Sequence, residues 1–111
     1  PVKAKGVRID WAALEKEFSA HPEIRDLNVP EAGRLAGTLS GGNVQRMTFA
    51  RAVISKPSVL VACYPSRGLD VATVAVVHET LLRLRNDGTA VLLISEDLPE
   101  LAELSDELIV L

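Results

Sequence analysis

Several features that mark whole classes of protein are missing from this sequence or rare in it. A single cysteine, Cys63, excludes an internal disulfide and fits a reducing compartment. The longest apolar runs, residues 59–63 and 90–94, are strand-sized and far shorter than a membrane span. Because residues 1–6 lack an apolar segment, we expect no signal peptide. The net charge is −3 with no dense basic face, so we expect no nucleic-acid partner.

Phosphate-binding and metal-binding patterns are also absent. No Gly-x-x-x-x-Gly-Lys-Ser/Thr segment occurs, so the backbone cradle of a P-loop is missing. His21 has no second ligand at metal spacing and is interpreted as a solvated loop residue. His78 has no carboxylate at an obvious spacing within its predicted helix and is assigned no role. The chain is therefore expected to hold no metal ion and no phosphate group in a P-loop.

The composition nevertheless predicts a folded domain. The 111 residues are 48% hydrophobic and 24% charged, which suits one small domain with a core. Residues 1–9 are expected to form a loose or strand-like lead. Asp10 is expected to cap a helix that reaches about Ser19, with Trp11 and Phe18 as packing residues.

The stretch Leu-Ser-Gly-Gly-Asn-Val-Gln-Arg at residues 39–46 predicts a turn that feeds a helix. Ser40 is a good N-cap, and the glycines that follow let backbone amides approach a ligand. Such a helix N-terminus is suited to phosphate. The helix should run to about Ser55, before Pro57, with an apolar face that includes Val44 and Met47.

The remainder of the chain alternates strands and helices. Strands are predicted at residues 59–63, 89–95 and 107–111, and a helix from about residue 71 to residue 86. A short helix that Asp97 or Ser95 opens is predicted to run to about Leu104. The apolar run at 59–63 is typical of a strand buried on both faces of a parallel sheet. The alternation implies βαβ crossovers, an α/β fold class and a three-stranded parallel sheet after a small helical segment. A sheet so thin and apolar leads us to expect self-association.

Taken in order, four of these segments resemble the second half of an ATP-binding cassette (ABC) ATPase domain, a P-loop NTPase-like fold. Residues 38–46 match the signature motif, and the strand that ends at Cys63-Tyr64-Pro65 lies where the family has its Walker B strand and Asp-Glu-Pro. Residues 93–98 lie at the switch segment, where the family usually has His. The D-loop is matched by Arg67, Gly68, Leu69 and Asp70.

The resemblance is greatest to bacterial importers of simple sugars and nucleosides, whose subunits carry two fused ATPase halves. It implies that residues 38–111 are the signature helix and C-terminal half of the core, without the Walker A half, and that residues 1–37 belong to the helical subdomain. Implied partners are the N-terminal ATPase half and the membrane permease subunits, on the cytoplasmic face of the inner membrane. ATP and Mg²⁺ are implied cofactors of the full-length subunit, and this chain alone, without Walker A, is expected to bind neither tightly. The implied nucleotide-binding residues are Ser40, Gly41, Gly42, Asn43 and Gln45.

Three positions depart from the family pattern, and together they predict a degenerate site in this half. Cys63 stands at the Walker B Asp, Tyr64 at the catalytic Glu and Glu96 at the switch His. A neutral thiol is a poor Mg²⁺ ligand, and a phenol is a poor base at neutral pH. We expect Cys63 to pack as a small buried hydrophobe and Tyr64 to fill volume and hydrogen-bond through its hydroxyl. The signature would then serve ATP held by the other half.

Two other classes of function stay open at this point. A chromosome-maintenance or DNA-repair ATPase head shares Leu-Ser-Gly-Gly, but residues 1–37 show no heptads and the chain is acidic. A stand-alone, non-enzymatic interaction module derived from such a domain is permitted by the absence of Walker A. The length of the parent gene would separate this last class from an importer subunit.

Overall fold

The computed structural model describes residues 4–5 and 8–111. Its elements in chain order are β1 (Ala4–Lys5), β2 (Arg8–Ile9), α1 (Trp11–Ala20), α2 (Pro22–Asp26), a 3-10 turn (Ala36–Thr38), α3 (Gly41–Ile54), β3 (Val59–Cys63), α4 (Val71–Asn86), β4 (Ala90–Ile94) and α5 (Leu98–Leu104). The chain divides into two compact units, Pro1–Ala50 and Arg51–Leu111. In the described ranges no helix has the length and hydropathy needed to cross a membrane.

The first unit begins with a short antiparallel pair, β1 and β2, in the predicted strand-like lead. Asp10 caps α1 as predicted, since its carboxylate accepts the Ala13 amide at 3.1 Å. The prediction that Trp11 is a packing residue is wrong, because 72% of it is exposed. Side chains in a helix point toward its N-terminus and pack on the preceding turn. Trp11 is the first residue of α1, so it has no preceding turn to pack on.

The helix after the Leu-Ser-Gly-Gly stretch forms close to where it was predicted. The Asn43 amide donates to Ser40 Oγ at 3.3 Å, so Ser40 acts as the N-cap, and α3 ends before Pro57. The predicted apolar face is wrong in its first half, because Val44 and Met47 are exposed. The buried positions of α3 lie further along, at Ala50 and Val53.

The second unit is built on a parallel pair of strands joined by a helix. β3 and β4 pair in register from Val59↔Ala90 to Cys63↔Ile94. Asp70 caps the connecting helix α4 by accepting the Thr73 amide at 3.0 Å. Gly88, at φ +96°, follows the last turn in a left-handed conformation that favours glycine, as predicted. The described chain is therefore a mixed α/β structure with a small parallel sheet.

The prediction that β3 is buried on both faces is wrong. Leu60 and Ala62 are buried, whereas Val59 is 63% exposed and Leu92, on the paired strand, is 56% exposed. Strand side chains alternate between faces, and the side that carries Leu60 and Ala62 is the buried one. We call the other side the uncovered sheet face; its residues are Val59, Val61, Cys63, Ala90, Leu92 and Ile94.

The predicted third strand at residues 107–111 is also wrong. Among the described residues the parallel sheet has two strands, and the segment after α5 has no strand assignment. An apolar segment becomes a strand only when its backbone enters a ladder, and no backbone hydrogen bond joins residues 107–111 to β3 or β4 in the described chain. The side chains from Leu108 onward are exposed.

Candidate functional site

The candidate site of the second unit lies at the carboxyl edge of the parallel strands. Because β3 and β4 are parallel and in register, the segments that follow them start side by side. The Tyr64 amide donates to the Ile94 carbonyl at 2.8 Å, which extends the ladder one step past Cys63. The structure thus brings the sequence-predicted residues Tyr64 and Glu96 to one edge of the sheet, although they are far apart in the chain.

Cys63 is exposed, so the prediction of a small buried hydrophobe is wrong. It lies on the uncovered sheet face, in register with Ile94. The alternation of strand side chains places it on the same face as Val61 rather than with the buried Ala62.

Tyr64 has a φ of +50°, in the left-handed region that a bulky side chain rarely adopts. Holding a non-glycine residue there costs about 1–3 kcal/mol and redirects the chain at the end of β3. The Arg67 guanidinium lies 5.8 Å from the centroid of the Tyr64 ring, within cation–π range. The residue is 40% exposed and therefore only partly fills volume.

The segment that resembles a D-loop is a tight turn, and we call residues 66–70 the 66–70 turn. The Leu69 amide donates to the Ser66 carbonyl at 3.2 Å. Gly68 has φ +74°, a conformation that favours glycine. Asp70 closes the turn as the N-cap of α4, where it also accepts the Thr73 hydroxyl at 2.7 Å.

Glu96 lies exposed in the turn between β4 and α5, and we call residues 95–97 the 95–97 turn. The Asp97 amide donates to Ser95 Oγ at 3.1 Å, and Asp97 caps α5 by accepting the Glu100 amide at 3.1 Å. Glu96 is therefore carried by a turn that its two neighbours hold in place.

A polar cluster that the sequence did not reveal lies behind these two turns. Glu100 is only 5% exposed, and its carboxylate accepts hydrogen bonds from the hydroxyls of Ser66 and Ser95. His78 Nε2 lies 3.1 Å from Glu100 Oε1. We call Ser66, His78, Ser95 and Glu100 the Glu100 cluster.

His78, to which the sequence assigned no role, therefore has two carboxylate partners. Its partners come from α5, since Nε2 contacts Glu100 and Nδ1 lies 3.4 Å from Glu103 Oε2. Neither carboxylate is near His78 in sequence. In addition, the pattern Asp97-x-x-Glu100 resembles a capping box, which assigns Glu100 to the helix end and hides its other role.

The hydrogen bonds of the cluster decide the ionisation of Glu100. Burial by itself raises the pKa of a carboxyl group. Here the hydrogen bonds from Ser66, Ser95 and His78, together with the charge of His78, outweigh burial and lower the pKa of Glu100 below its ordinary value of 4.5. Glu100 is consequently a buried carboxylate anion at neutral pH.

The signature-like residues lie in the first unit, at the start of α3. Gly41 is the first residue of this helix and Ser40 is its cap. Asn43 Oδ1 accepts a hydrogen bond from the Arg46 guanidinium within the same helix turn. A Cβ at Gly41 would meet nothing within 4 Å, and no positive φ is recorded there. The described chain therefore has no internal need for glycine at this position.

Within the described ranges, no group of three or more His, Cys, Asp or Glu side chains is arranged to hold a metal ion. At the end of β3 the available groups are a thiol and a phenol, which do not fit Mg²⁺, a cation that takes hard oxygen ligands.

Comparison with known proteins finds ATP-binding proteins of import systems. The chain is 40% identical over 109 residues to the glucose import ATP-binding protein TsgD13 of Haloferax volcanii, covering 95% of this chain and 20% of that protein. It is 41% identical over 111 residues to the guanosine import ATP-binding protein NupO of Bacillus subtilis, covering 100% and 22%. It is 39% identical over 103 residues to ribose import ATP-binding protein RbsA 2 of Streptomyces avermitilis, covering 93% and 18%. No protein-family model matches. The chain spans about a fifth of the length of these relatives.

Proposed function

Because this chain belongs to the ABC family of ATP-binding proteins of sugar and nucleoside importers, we propose that it supplies the signature segment of an importer's ATPase subunit. In this role Ser40, Gly41 and Gly42 contact the phosphates of an ATP molecule held by another ATPase half. Asn43 and Gln45, in the first turn of α3, complete that contact surface.

The observation that carries the proposal is the open start of α3. Gly41 needs neither a positive φ nor close packing, so alanine, the better helix former, would make the fold more stable. Because Gly41 has no side chain, a group from outside can approach the backbone there. The helix N-terminus provides free amides and a positive dipole end, which suit a phosphate.

The residues at the sheet edge support the proposal that the subunit has one structural and one hydrolytic ATP site. At the places of the Walker B Asp and the catalytic Glu this chain has Cys63 and Tyr64, and the exposed Glu96 replaces the switch His. A thiol and a phenol do not hold Mg²⁺, and a carboxylate at Glu96 repels a phosphate. The site that these residues face is therefore proposed to be structural, whereas the site served by the signature hydrolyses ATP.

The names of the relatives support the partners. Those proteins are described as ATP-binding proteins for the import of glucose, ribose and guanosine. We accordingly propose that this chain acts with an N-terminal ATPase half and with membrane permease subunits, at the cytoplasmic face of the inner membrane. The imported substrate is proposed to be a simple sugar or a nucleoside.

The test is steady-state ATP hydrolysis by the assembled importer that contains this sequence. Ser40→Ala removes a hydroxyl donor from the phosphate contact and should lower turnover by about 10²–10³. Ser40→Arg should lower it further, because its bulk keeps the signature away from ATP. Ser19→Arg is the control, since it makes the same change at an exposed position of α1. Equal turnover for wild type, Ser40→Ala and Ser40→Arg would refute the proposal.

A further inference from the structure

The Glu100 cluster joins two turns that lie far apart in sequence. Its two serines are the first residues of the 66–70 turn and of the 95–97 turn. Both hydroxyls donate to the carboxylate of Glu100, which comes from α5. One buried side chain is thus the common acceptor for both segments at the carboxyl edge of the sheet.

The carboxylate divides its two oxygens between the two turns. Oε1 accepts the Ser66 hydroxyl and faces His78 Nε2, whereas Oε2 accepts the Ser95 hydroxyl at 2.5 Å. The two oxygens of a carboxylate lie a fixed distance apart, so each hydroxyl has its own acceptor atom at a set separation from the other. The spacing of the two turns is therefore set by the geometry of one carboxylate.

Each serine also holds its own turn. The Ser66 carbonyl accepts the Leu69 amide at 3.2 Å, and Ser95 Oγ accepts the Asp97 amide at 3.1 Å while its hydroxyl donates to Glu100. Movement of either serine would therefore disturb the backbone of its turn as well as the carboxylate.

Burial makes the connection between the turns hard to break. Glu100 is 5% exposed, so a lost donor is not readily replaced by bulk water. A buried carboxylate without its donors is costly, and this favours the arrangement in which both turns stay in place.

We propose that Glu100 is a positioning residue that couples the 66–70 turn to the 95–97 turn, so that the D-loop and the segment that carries Glu96 keep a fixed spacing. The assignment of these turns to an ATP site rests on the proposed function. The coupling itself rests on the contacts of Glu100, and it does not require the site to be catalytically active.

Amide hydrogen exchange of the importer ATPase that contains this sequence, without nucleotide, tests the coupling. The reporters are the amides of Leu69 and Asp97, both hydrogen-bonded within their turns. Glu100→Asp keeps the charge but is one methylene too short to reach both serines. It should speed exchange by about tenfold in both turns, and residues 81–86 of α4 should be unchanged. Glu107→Asp, the same change at an exposed position beyond α5, is the matched control and should change neither turn.

A second pair of variants keeps the test decisive if Glu100→Asp fails to fold. Ser66→Ala removes one donor and should speed exchange at Asp97 as well as at Leu69, because the two turns share Glu100. Ser66→Thr keeps the hydroxyl and should restore wild-type exchange in both turns.

Two results would overturn the coupling. In the first, exchange changes in one turn only. In the second, residues 81–86 speed up as much as the turns, which would mean that Glu100 only supports the fold. ATP hydrolysis by the same samples separates the two proposals. A wild type without ATPase activity but with coupled exchange contradicts the proposed function alone, and an active wild type with uncoupled exchange contradicts the coupling alone.

Discussion

His78 of α4 lies 3.1 Å from the Glu100 carboxylate of α5, and the two residues are 22 positions apart in sequence. The contact is almost fully shielded, since the side chains are 13% and 4% exposed. It joins the helix that follows the 66–70 turn to the helix that follows the 95–97 turn. The pH dependence of the protein should therefore report on this contact.

Glu100→Gln should make the stability of the chain less sensitive to acid. The folded-state pKa of Glu100 is lowered below 4.5, so its stabilising effect is fully present above that pH and is lost as the pH falls through the folded-state value. The variant should lose about 1–3 kcal/mol at neutral pH and show a smaller further loss as the pH falls below 4.5. Urea unfolding across this pH range measures both changes. A wild type and variant with parallel pH profiles would contradict the assignment.

Gly41→Ala should affect stability and turnover in opposite directions. A methyl group at Gly41 meets nothing within 4 Å, so the variant should stabilise the fold by about 0.4–1 kcal/mol through the unfolded state. The same methyl group should obstruct the approach of ATP and lower the ATPase rate of the assembled importer. Thermal unfolding measures the change in stability, and an ATPase assay on the same preparation measures the change in rate. Gly33→Ala, where a Cβ also meets nothing within 4 Å, is the control and should leave turnover unchanged. An unchanged rate in Gly41→Ala would argue against the signature role.

Tyr64→Phe and Glu96→Ala should have mild effects on ATP hydrolysis by the assembled importer. The phenol of Tyr64 does not act as a base at neutral pH, so removing its hydroxyl removes no catalytic group. The carboxylate of Glu96 repels phosphate, so its removal also takes away no catalytic contact. Their rates should stay close to wild type in the assay where Ser40→Ala loses most of its activity. If Tyr64→Phe abolishes turnover and Ser40→Ala does not, the working and structural sites have been assigned the wrong way round.

The 111-residue chain alone should bind Mg-ATP with a dissociation constant above about 1 mM, because it has no Walker A segment and no Walker B carboxylate. Isothermal titration calorimetry measures this directly. Micromolar affinity with a stoichiometry near one would contradict the prediction.

The uncovered sheet face should cause the isolated chain to self-associate. Val61 and Leu92 are paired in register on this face and both are exposed, so two copies can bury apolar surface together. Val61→Lys should weaken the association by about tenfold or more, since burial of an unpaired charge is costly. Val71→Lys, the same change at an exposed position of α4, is the control. Sedimentation measures both variants. A monomeric wild type at high concentration would contradict the prediction.

Local chemistry in the sequence determined most of the helices. The carboxylates of Asp10 and Asp70 and the hydroxyl of Ser40 each accept an amide three residues later, and Gly88 supplies a left-handed stop. Each of these contacts lies within one turn of chain, so α4 could be predicted with both bounds correct. The motif order also predicted the similarity to sugar and nucleoside import proteins.

Only the tertiary structure decided which surfaces meet. The apolar sequence of β3 does not predict that one face of the strand is uncovered. The apolar sequence at residues 107–111 does not predict that this segment forms no strand pairing. The contacts of Glu100 with His78 and with Ser66 join residues that are 22 and 34 positions apart, and no local spacing encodes them. Burial and hydrogen bonding between distant segments depend on how the elements pack. The sequence therefore determined the helices and the family, whereas packing decided the exposure of Cys63 and the existence of the Glu100 cluster.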